Sequence, residues 1–331
     1  MNANQLIDQH GRKLDYLRLS VTDRCNFRCY YCMPEEGIDF APRKELLSYD
    51  EMYDLAALFV GMGVRKIRIT GGEPFVRNGI IPFLYRLSAL IGLEEITITS
   101  NGTLSAKHQS ALKEMGIRKI NISLDSLDPD RFFRITRRDS FQEVYKGIFS
   151  LLNDGFEVKL NCVVAENKNV EDIIPFIELT RDFPLAVRFL EVMPFNGSQG
   201  GSSSFMWDYK RIYEHISSHY AAITPLVDAV SSTSVNYRID GYQGTFGVIP
   251  SFSRTFCGTC NRIRLSATGE LRTCLYGPPV LNLRDLLRES VSGGLLKSKI
   301  SAVFSQRAKN GFEAESISGG QIHTSMSALG G

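Results

Sequence analysis

The chain has 331 residues, 43% hydrophobic and 22% charged, the balance of a soluble globular protein. Its 38 Lys and Arg against 36 Asp and Glu leave a net charge of +2, which excludes a bulk polyelectrolyte partner such as nucleic acid, so any anion must be met by a local group of cations. Met1 to Asp15 carry no apolar signal segment, and no apolar run reaches the roughly 18 residues of a membrane span, so the chain reads as cytoplasmic, without membrane contact, and as one large α/β unit with an extension.

Leu14 to Val21 alternates apolar and polar residues as a strand does and runs into Cys25-Asn26-Phe27-Arg28-Cys29-Tyr30-Tyr31-Cys32. Ser48-Tyr49-Asp50-Glu51 has the capping-box pattern and opens a helix through Leu55, Leu58, Phe59 and Met62 that stops at Gly63. The unit then recurs. Val64 to Thr70 is a strand ending in Gly71-Gly72-Glu73-Pro74, with a helix through Phe83, Leu84 and Leu87. Glu95 to Thr99 ends in Ser100-Asn101-Gly102 and leads to a helix stopping near Gly116. Lys119 to Leu124 ends at Asp125-Ser126, and Ser140-Phe141-Gln142-Glu143 caps the helix that closes before Gly155. Val158 to Val164 and Ala186 to Met193 are the fifth and sixth strands.

Strands alternating with helices make parallel βαβ units. Six are too few for a closed eight-stranded barrel, so the expectation is a partial, laterally open (β/α)6 barrel with its site at the C-terminal strand ends. Alternation puts Lys66 with Arg68 and Lys159 with Asn161, while Cys162 faces away as buried structure. Beyond Phe195 the pattern breaks: Asn196 to Phe205 is Gly/Ser-rich, irregular segments follow, and Glu315 to Gly331 has the composition of a flexible tail. The division expected is 1–195, 196–314 and 315–331.

Seven cysteines, six of them in two tight groups, read as metal ligands. The C-x3-C-x2-C loop offers three thiolates, whereas a 4Fe-4S cluster usually takes four, so one iron would stay open to a small molecule. Zinc is the alternative, but structural zinc favours four ligands from paired motifs, and no His lies near this loop. The second group, Cys257-x2-Cys260-x13-Cys274, again has three and no evident fourth, and a partial zinc ribbon remains its plain reading. Arg262 and Arg264 share one side of a strand beside it, with guanidiniums suited to phosphate or carboxylate.

The first loop, with an aromatic before its third cysteine, resembles the radical S-adenosylmethionine (SAM) signature. With Thr70-Gly71-Gly72-Glu73-Pro74, Thr99-Ser100-Asn101-Gly102, Asn121-Ile122-Ser123-Leu124-Asp125, the second cysteine group and Gly330-Gly331, the whole chain is similar to the GTP 3',8-cyclase family of molybdenum cofactor biosynthesis. The resemblance implies a radical SAM partial barrel with a C-terminal extension carrying a second 4Fe-4S cluster. It implies that Cys25, Cys29 and Cys32 ligate the SAM cluster, that Tyr31, Gly72, Ser123 and Met193 meet SAM, and that Glu73 accepts from its amino group. Cys257, Cys260 and Cys274 would ligate the cluster that meets guanine. Arg18, Arg68, Thr99, Lys159, Arg262 and Arg264 would bind GTP, with Lys66 and Arg188 as further cations. Arg262, Arg264, Gly330 and Gly331 take catalytic roles in this reading.

The reaction implied is C3' hydrogen abstraction by a deoxyadenosyl radical and attack on guanine C8, the product passing to cyclic pyranopterin monophosphate synthase. A flavodoxin or ferredoxin would supply electrons to a monomer or homodimer. The rivals are a peptide-maturing radical SAM enzyme and a non-catalytic metal-binding interaction protein.

Overall fold

A computed structural model describes residues 5–193, 207–319 and 325–329. Six parallel strands lie side by side in chain order: β1 (Tyr16–Ser20), β2 (Lys66–Thr70), β3 (Glu95–Ser100), β4 (Lys119–Ser123), β5 (Glu157–Val164) and β6 (Ala186–Glu191). Helices α1 (Tyr49–Gly61), α2 (Ile80–Ser88), α3 (Gln109–Glu114), α4 (Pro129–Thr136), α5 (Phe141–Asn153) and α6 (Ile173–Asp182) connect them. The expected (β/α)6 unit is therefore present.

Local signals explain most of the boundaries. Ser48 Oγ accepts from Glu51 N at 3.1 Å while Glu51 Oε2 accepts from Ser48 N at 2.7 Å, so the capping box forms as written in the sequence; such a cap contributes about 1 kcal/mol. Ser140 also precedes a helix but makes no side-chain capping bond, because its backbone (φ −136°, ψ 14°) is not extended. Helix α4 was not expected. Asp128 caps it by accepting from Arg131 N at 2.7 Å, and Pro129 occupies its first turn.

The extension departs from the irregular segment expected after Phe195. Helix α7 (Tyr209–Ser217) leads into an antiparallel run β7 (Ile223–Pro225), β8 (Val235–Ile239) and β9 (Thr245–Ile249), and β9 pairs in parallel with β6. The chain then crosses to the other edge, where β10 (Arg262–Leu265) pairs in parallel with β1 and is followed by antiparallel β11 (Glu270–Arg272) and β12 (Leu281–Asn282). The described strands thus form one sheet, ordered β12-β11-β10-β1-β2-β3-β4-β5-β6-β9-β8-β7. The extension lengthens the barrel wall at both edges.

Helices α8 (Leu283–Arg288), α9 (Gly293–Phe304), α10 (Gly311–Ile317) and α11 (Met326–Leu329) complete the described chain. The described residues of the tail are ordered, contrary to its composition. Ser325 Oγ donates to Cys32 O at 2.6 Å, and Leu329 is buried with Tyr276 in a cluster that also takes in Met193, Cys274 and Met326. Apolar burial of Leu329 overrides the local bias toward disorder.

Which face of the strands is apolar decides where the site lies. Leu17, Leu19, Ile67, Ile69, Ile98, Ile120, Ile122, Leu160, Val187 and Phe189 are all buried. They occupy alternate positions and pack under the helices. Parallel strands are ordinarily apolar on both faces, but here the opposite positions carry Tyr16, Arg18, Lys66, Arg68, Lys159 and Arg188. The barrel interior is a cationic lumen. No helix of the described residues is long and apolar enough to cross a membrane.

Candidate active site

The first cysteine loop leaves the C-terminal end of β1 and is held by guanidiniums on its carbonyls. Arg28 Nη1 donates to Cys25 O and Phe27 O at 2.8 Å each, Arg138 Nε to Asn26 O at 2.9 Å, and Arg137 Nη1 to Arg28 O at 3.3 Å. Gly72 packs directly on the approach to the loop. A Cβ there would lie 2.3 Å from Arg24 O, so the glycine is required by protein backbone before any ligand is considered. Glu73 is fully buried and accepts from Phe75 N at 3.1 Å, Ser100 Oγ at 3.0 Å and Asn101 N at 2.6 Å. Asn101 Nδ2 in turn donates to Asn26 Oδ1 at 2.7 Å and reaches Cys25 Sγ at 3.8 Å. Three separate sequence motifs therefore form one hydrogen-bonded support.

Carboxylates sit close behind these thiols. Burial, then Glu73, pushes the Cys25 thiol up to about 11, and burial, then the Cys25 thiol, pushes Cys32 up to about 12. Cys29 is driven well up by burial, Asp125 and the other two thiols. Burial pushes Glu73 up to about 7 and Asp125 up to about 6, against hydrogen bonds that favour their ionised forms. Tyr31 OH donates to Asp125 Oδ2 at 2.6 Å, which fixes the aromatic beside Cys32.

The lumen wall is in register across strands: Arg264 pairs with Arg18, and Arg18 with Arg68. Arg262 pairs with Tyr16. Arg68 donates to Tyr16 OH and, at 3.2 Å, to Thr99 Oγ1. Lys66 is engaged by Glu95, which also takes Lys119 at 2.7 Å, so Lys66 is neutralised at the strand starts. Crowding of like charges disfavours their protonated forms. Burial, then neighbouring arginines, lowers Arg188 and Arg264 to about 10 and Lys159 to about 8, and holds Arg18 well below the ordinary range. Arg188 Nε, Arg262 Nη2 and Arg264 Nη1 are out of solvent with no protein acceptor. Each such donor costs about 1–3 kcal/mol, a cost that an anion in the lumen offsets. Ser123 stands on the same face, paired with Asn161.

The second cysteine group enters from the other end. Since β1 and β10 are parallel, Cys257 and Cys260 precede β10 at its N-terminal end, and antiparallel β11 returns Cys274 to that end. The expectation of a site confined to C-terminal strand ends is corrected: the cysteine groups approach opposite ends of a wall only five residues tall at β1, about 16 Å. Arg307 Nη2 donates to Cys260 Sγ at 3.1 Å, and Arg262 and Arg307 outweigh burial to bring that thiol down to about 6.

Both donor sets fit iron-sulfur clusters. Within each triad the thiols feel one another electrostatically, and thiolate is the donor such clusters take. Among the described residues no three His, Cys, Asp or Glu side chains are grouped closely enough for a single metal ion; cluster thiolates bind separate irons and need a wider spacing.

Residues 19–180 match the family model "Radical SAM superfamily" and residues 185–313 match "Molybdenum Cofactor Synthesis C". A relative from Arabidopsis thaliana named "GTP 3',8-cyclase, mitochondrial" is 42% identical over 92% of this chain and 78% of its own length. One from Alkaliphilus oremlandii (strain OhILAs), "GTP 3',8-cyclase", is 38% identical over 98% of this chain and 99% of its own. The chain belongs to the GTP 3',8-cyclase family. Membership makes it an enzyme with two 4Fe-4S clusters and SAM as cofactors. Other relatives, named "Molybdenum cofactor biosynthesis protein 1", are longer, and the chain spans about half of their length, 48% for that of Mus musculus. A solved structure of Streptococcus suis SuiB bound to S-adenosylmethionine shares the fold, with a TM-score of 0.59 at 15% identity over 87% of this chain and 69% of SuiB.

Against this family pattern, Thr99, Lys159, Arg18, Arg68, Arg262 and Arg264 lie on the one lumen wall. Met193 packs beside Tyr276 and Leu329. Gly330 and Gly331 lie outside the described residues. Cys162 is buried away from the lumen, 3.6 Å from Asp125 O. Sequence reasoning missed Tyr16, which alternation with Arg18 could have supplied, and Arg307 and Asp8, which no motif marks.

Proposed function

We propose that the chain is a radical SAM GTP 3',8-cyclase, converting GTP to (8S)-3',8-cyclo-7,8-dihydroguanosine 5'-triphosphate at the first step of molybdenum cofactor biosynthesis. The observation that carries this reading is the cationic wall of Arg264, Arg18 and Arg68, in register between two thiol triads that enter from opposite strand ends. Cys25, Cys29 and Cys32 hold the cluster that meets SAM, and Cys257, Cys260 and Cys274 hold the one that meets the base. When bound, these groups supply a carbon-centred radical at one end of the lumen and an anchor for guanine at the other.

The protein's task is to hold a nucleotide rigidly between those ends. Arg18, Arg68 and Lys159 take the triphosphate, Thr99 is fixed by its bond from Arg68, and Arg188 adds a further donor. Arg262 and Arg264 face the nucleotide on β10 and keep positive charge beside the reacting purine. Tyr31, Gly72, Ser123 and Met193 form the SAM side, with Tyr31 locked by Asp125. Gly330 and Gly331, outside the described residues, take the catalytic role that the family resemblance implies. In this division residues 1–195 generate the radical, 196–314 position the substrate, and 315–331 finish the site. A flavodoxin or ferredoxin reduces the enzyme in the cytoplasm, as monomer or homodimer, and cyclic pyranopterin monophosphate synthase consumes the product.

The test is 5'-deoxyadenosine formation by anaerobically reconstituted protein with SAM and a strong reductant, in parallel with GTP, ATP or no nucleotide. Stimulation by GTP alone, with GTP consumed, is expected. Equal formation without GTP would overturn the substrate, and none at full iron loading would overturn the enzyme reading.

A further inference from the structure

The second thiol triad is gripped from behind by two arginines that no motif predicts. Arg307 follows α9, and its side chain is only 3% exposed. Every nitrogen of its fork is used: Nε donates to Thr273 O at 2.9 Å, Nη1 to Cys260 O at 2.8 Å, and Nη2 to Cys260 Sγ at 3.1 Å and Arg262 O at 3.3 Å. Arg12, near the other end of the chain, donates from Nη1 to Cys257 O at 3.0 Å and Lys309 O at 2.8 Å, and from Nη2 to Ala308 O at 2.8 Å. Asp8, with no exposed side-chain surface, lies between them, its Oδ2 2.6 Å from Arg12 Nε and 3.5 Å from Arg307 Nη1.

Two guanidiniums therefore fix carbonyls at Cys257, Cys260 and Thr273 beside Cys274, and the carboxylate cancels only one of their charges. A guanidinium's planar fork holds such an arrangement more rigidly than a lysine could. Hydrogen bonds to cluster sulfurs and nearby charge set an iron-sulfur potential. A cation favours the reduced, more negative state.

We infer that Arg307 is a positioning residue for the second cluster, which fixes Cys260 and raises that cluster's potential through an N–H···S bond, with Asp8 and Arg12 locking it in place. This rests on the proposal that the second triad holds a cluster. It assigns a redox-setting role to residues outside both cysteine motifs.

The test is an EPR-monitored redox titration of the anaerobically reconstituted full chain, following separately the signal that responds to GTP and the signal that responds to SAM. Arg307→Gln is expected to shift the GTP-responsive couple downward, Arg307→Lys to recover part of that shift, and Asp8→Asn, which removes the opposing charge, to shift it upward. The SAM-responsive couple stays in place in all three. Unchanged potentials in Arg307→Gln at full iron loading would overturn the inference. If Arg307→Gln fails to load its second cluster, Asp8→Asn decides: an upward shift supports the role, and no shift or a downward one overturns it. Iron for a single cluster in the unmodified chain would instead remove the two-cluster reading itself, a separate and distinguishable failure.

Discussion

The two cysteine loops are built from the same number of thiols but in opposite electrostatic settings. Behind Cys25 and Cys29 stand the buried carboxyls Glu73 and Asp125, and the arginines nearby bind carbonyls rather than sulfur. Behind Cys260 stand Arg262 and Arg307, one of them bonded to the sulfur itself. Negative surroundings make a bound cluster a stronger reductant, and positive surroundings a weaker one. In the proposed function the loop that delivers an electron to SAM has the first setting, and the loop that holds the nucleotide has the second. On that proposal, the charges around each triad separate electron delivery from substrate anchoring within one chain.

The largest effects come from removing a ligand from one loop and not the other. Cys29→Ala abolishes 5'-deoxyadenosine formation altogether. Cys274→Ala is expected to remove cyclised product but leave slow, GTP-independent 5'-deoxyadenosine formation, because the loop proposed to generate the radical and its Glu73–Asn101 support are intact. Product analysis by chromatography with iron counts checks both. Loss of both activities in Cys274→Ala would mean that the loops are not separable.

Next comes the wall between them. Arg264→Met removes a guanidinium with a solvent-excluded, unaccepted Nη1. Hydrogen bonds made by a charged group contribute about 1.5–3 kcal/mol, so loss of this contact to the nucleotide is expected to lower GTP affinity by about 10- to 150-fold, measurable by equilibrium dialysis. The nucleotide-free protein is expected to melt higher, since a half-buried guanidinium with a solvent-excluded, unaccepted Nη1 has been replaced by an apolar side chain. That opposition of stability and binding would not arise from a surface arginine.

The order in which these features became visible in the sequence follows from physics. The six-strand barrel and the Ser48 cap were legible because they rest on local periodicity and on neighbouring residues. Both triads were legible as motifs, and most of the wall through the family resemblance, with alternation as a partial check. Helix α4 was missed although Asp128 and Pro129 mark its start locally; the β7-β8-β9 run was not legible, because its strands are short and β9 gains its place only by pairing with β6, far away in sequence. Arg307 was illegible for the same reason. Its partners Asp8 and Cys260 lie 299 and 47 residues away, and nothing local distinguishes it from a solvated arginine. The tail misled by composition, since the burial of Leu329 is a tertiary fact.

The pH dependence of binding sharpens the contrast at the wall. Lys159 is lowered to about 8 by burial first and then by Arg188 and Arg68. In the free protein it therefore loses its charge as pH rises through about 8, and a bound polyanion, which raises its pKa, must bring a proton with it. GTP affinity is then highest below pH 8 and weakens from pH 8 to 9.5. For folding the sign is opposite: the unfolded lysine keeps its proton to higher pH, so the penalty of burying the charge is present below about 8 and is relieved above it. Lys159→Arg stays protonated, and its GTP affinity should lack this step. An equal decline in both proteins would exclude Lys159 as its source.

The smallest expected effect concerns a single grip on the first loop. Arg138 is exposed, and its Nε donates to Asn26 O at 2.9 Å. Arg138→Gln removes one of several bonds that hold the loop, and an exposed bond of this kind contributes about 0.5–1.5 kcal/mol. Iron content and the SAM-responsive potential should stay unchanged, because this arginine touches a carbonyl and not a thiol, while the melting temperature falls by a few degrees at most. The corresponding change at Arg307 touches sulfur and should move a potential. If Arg138→Gln moves the first cluster's potential as far as Arg307→Gln moves the second's, the distinction between carbonyl-bound and sulfur-bound arginines fails, and the asymmetry of the two loops must come from Glu73 and Asp125 alone.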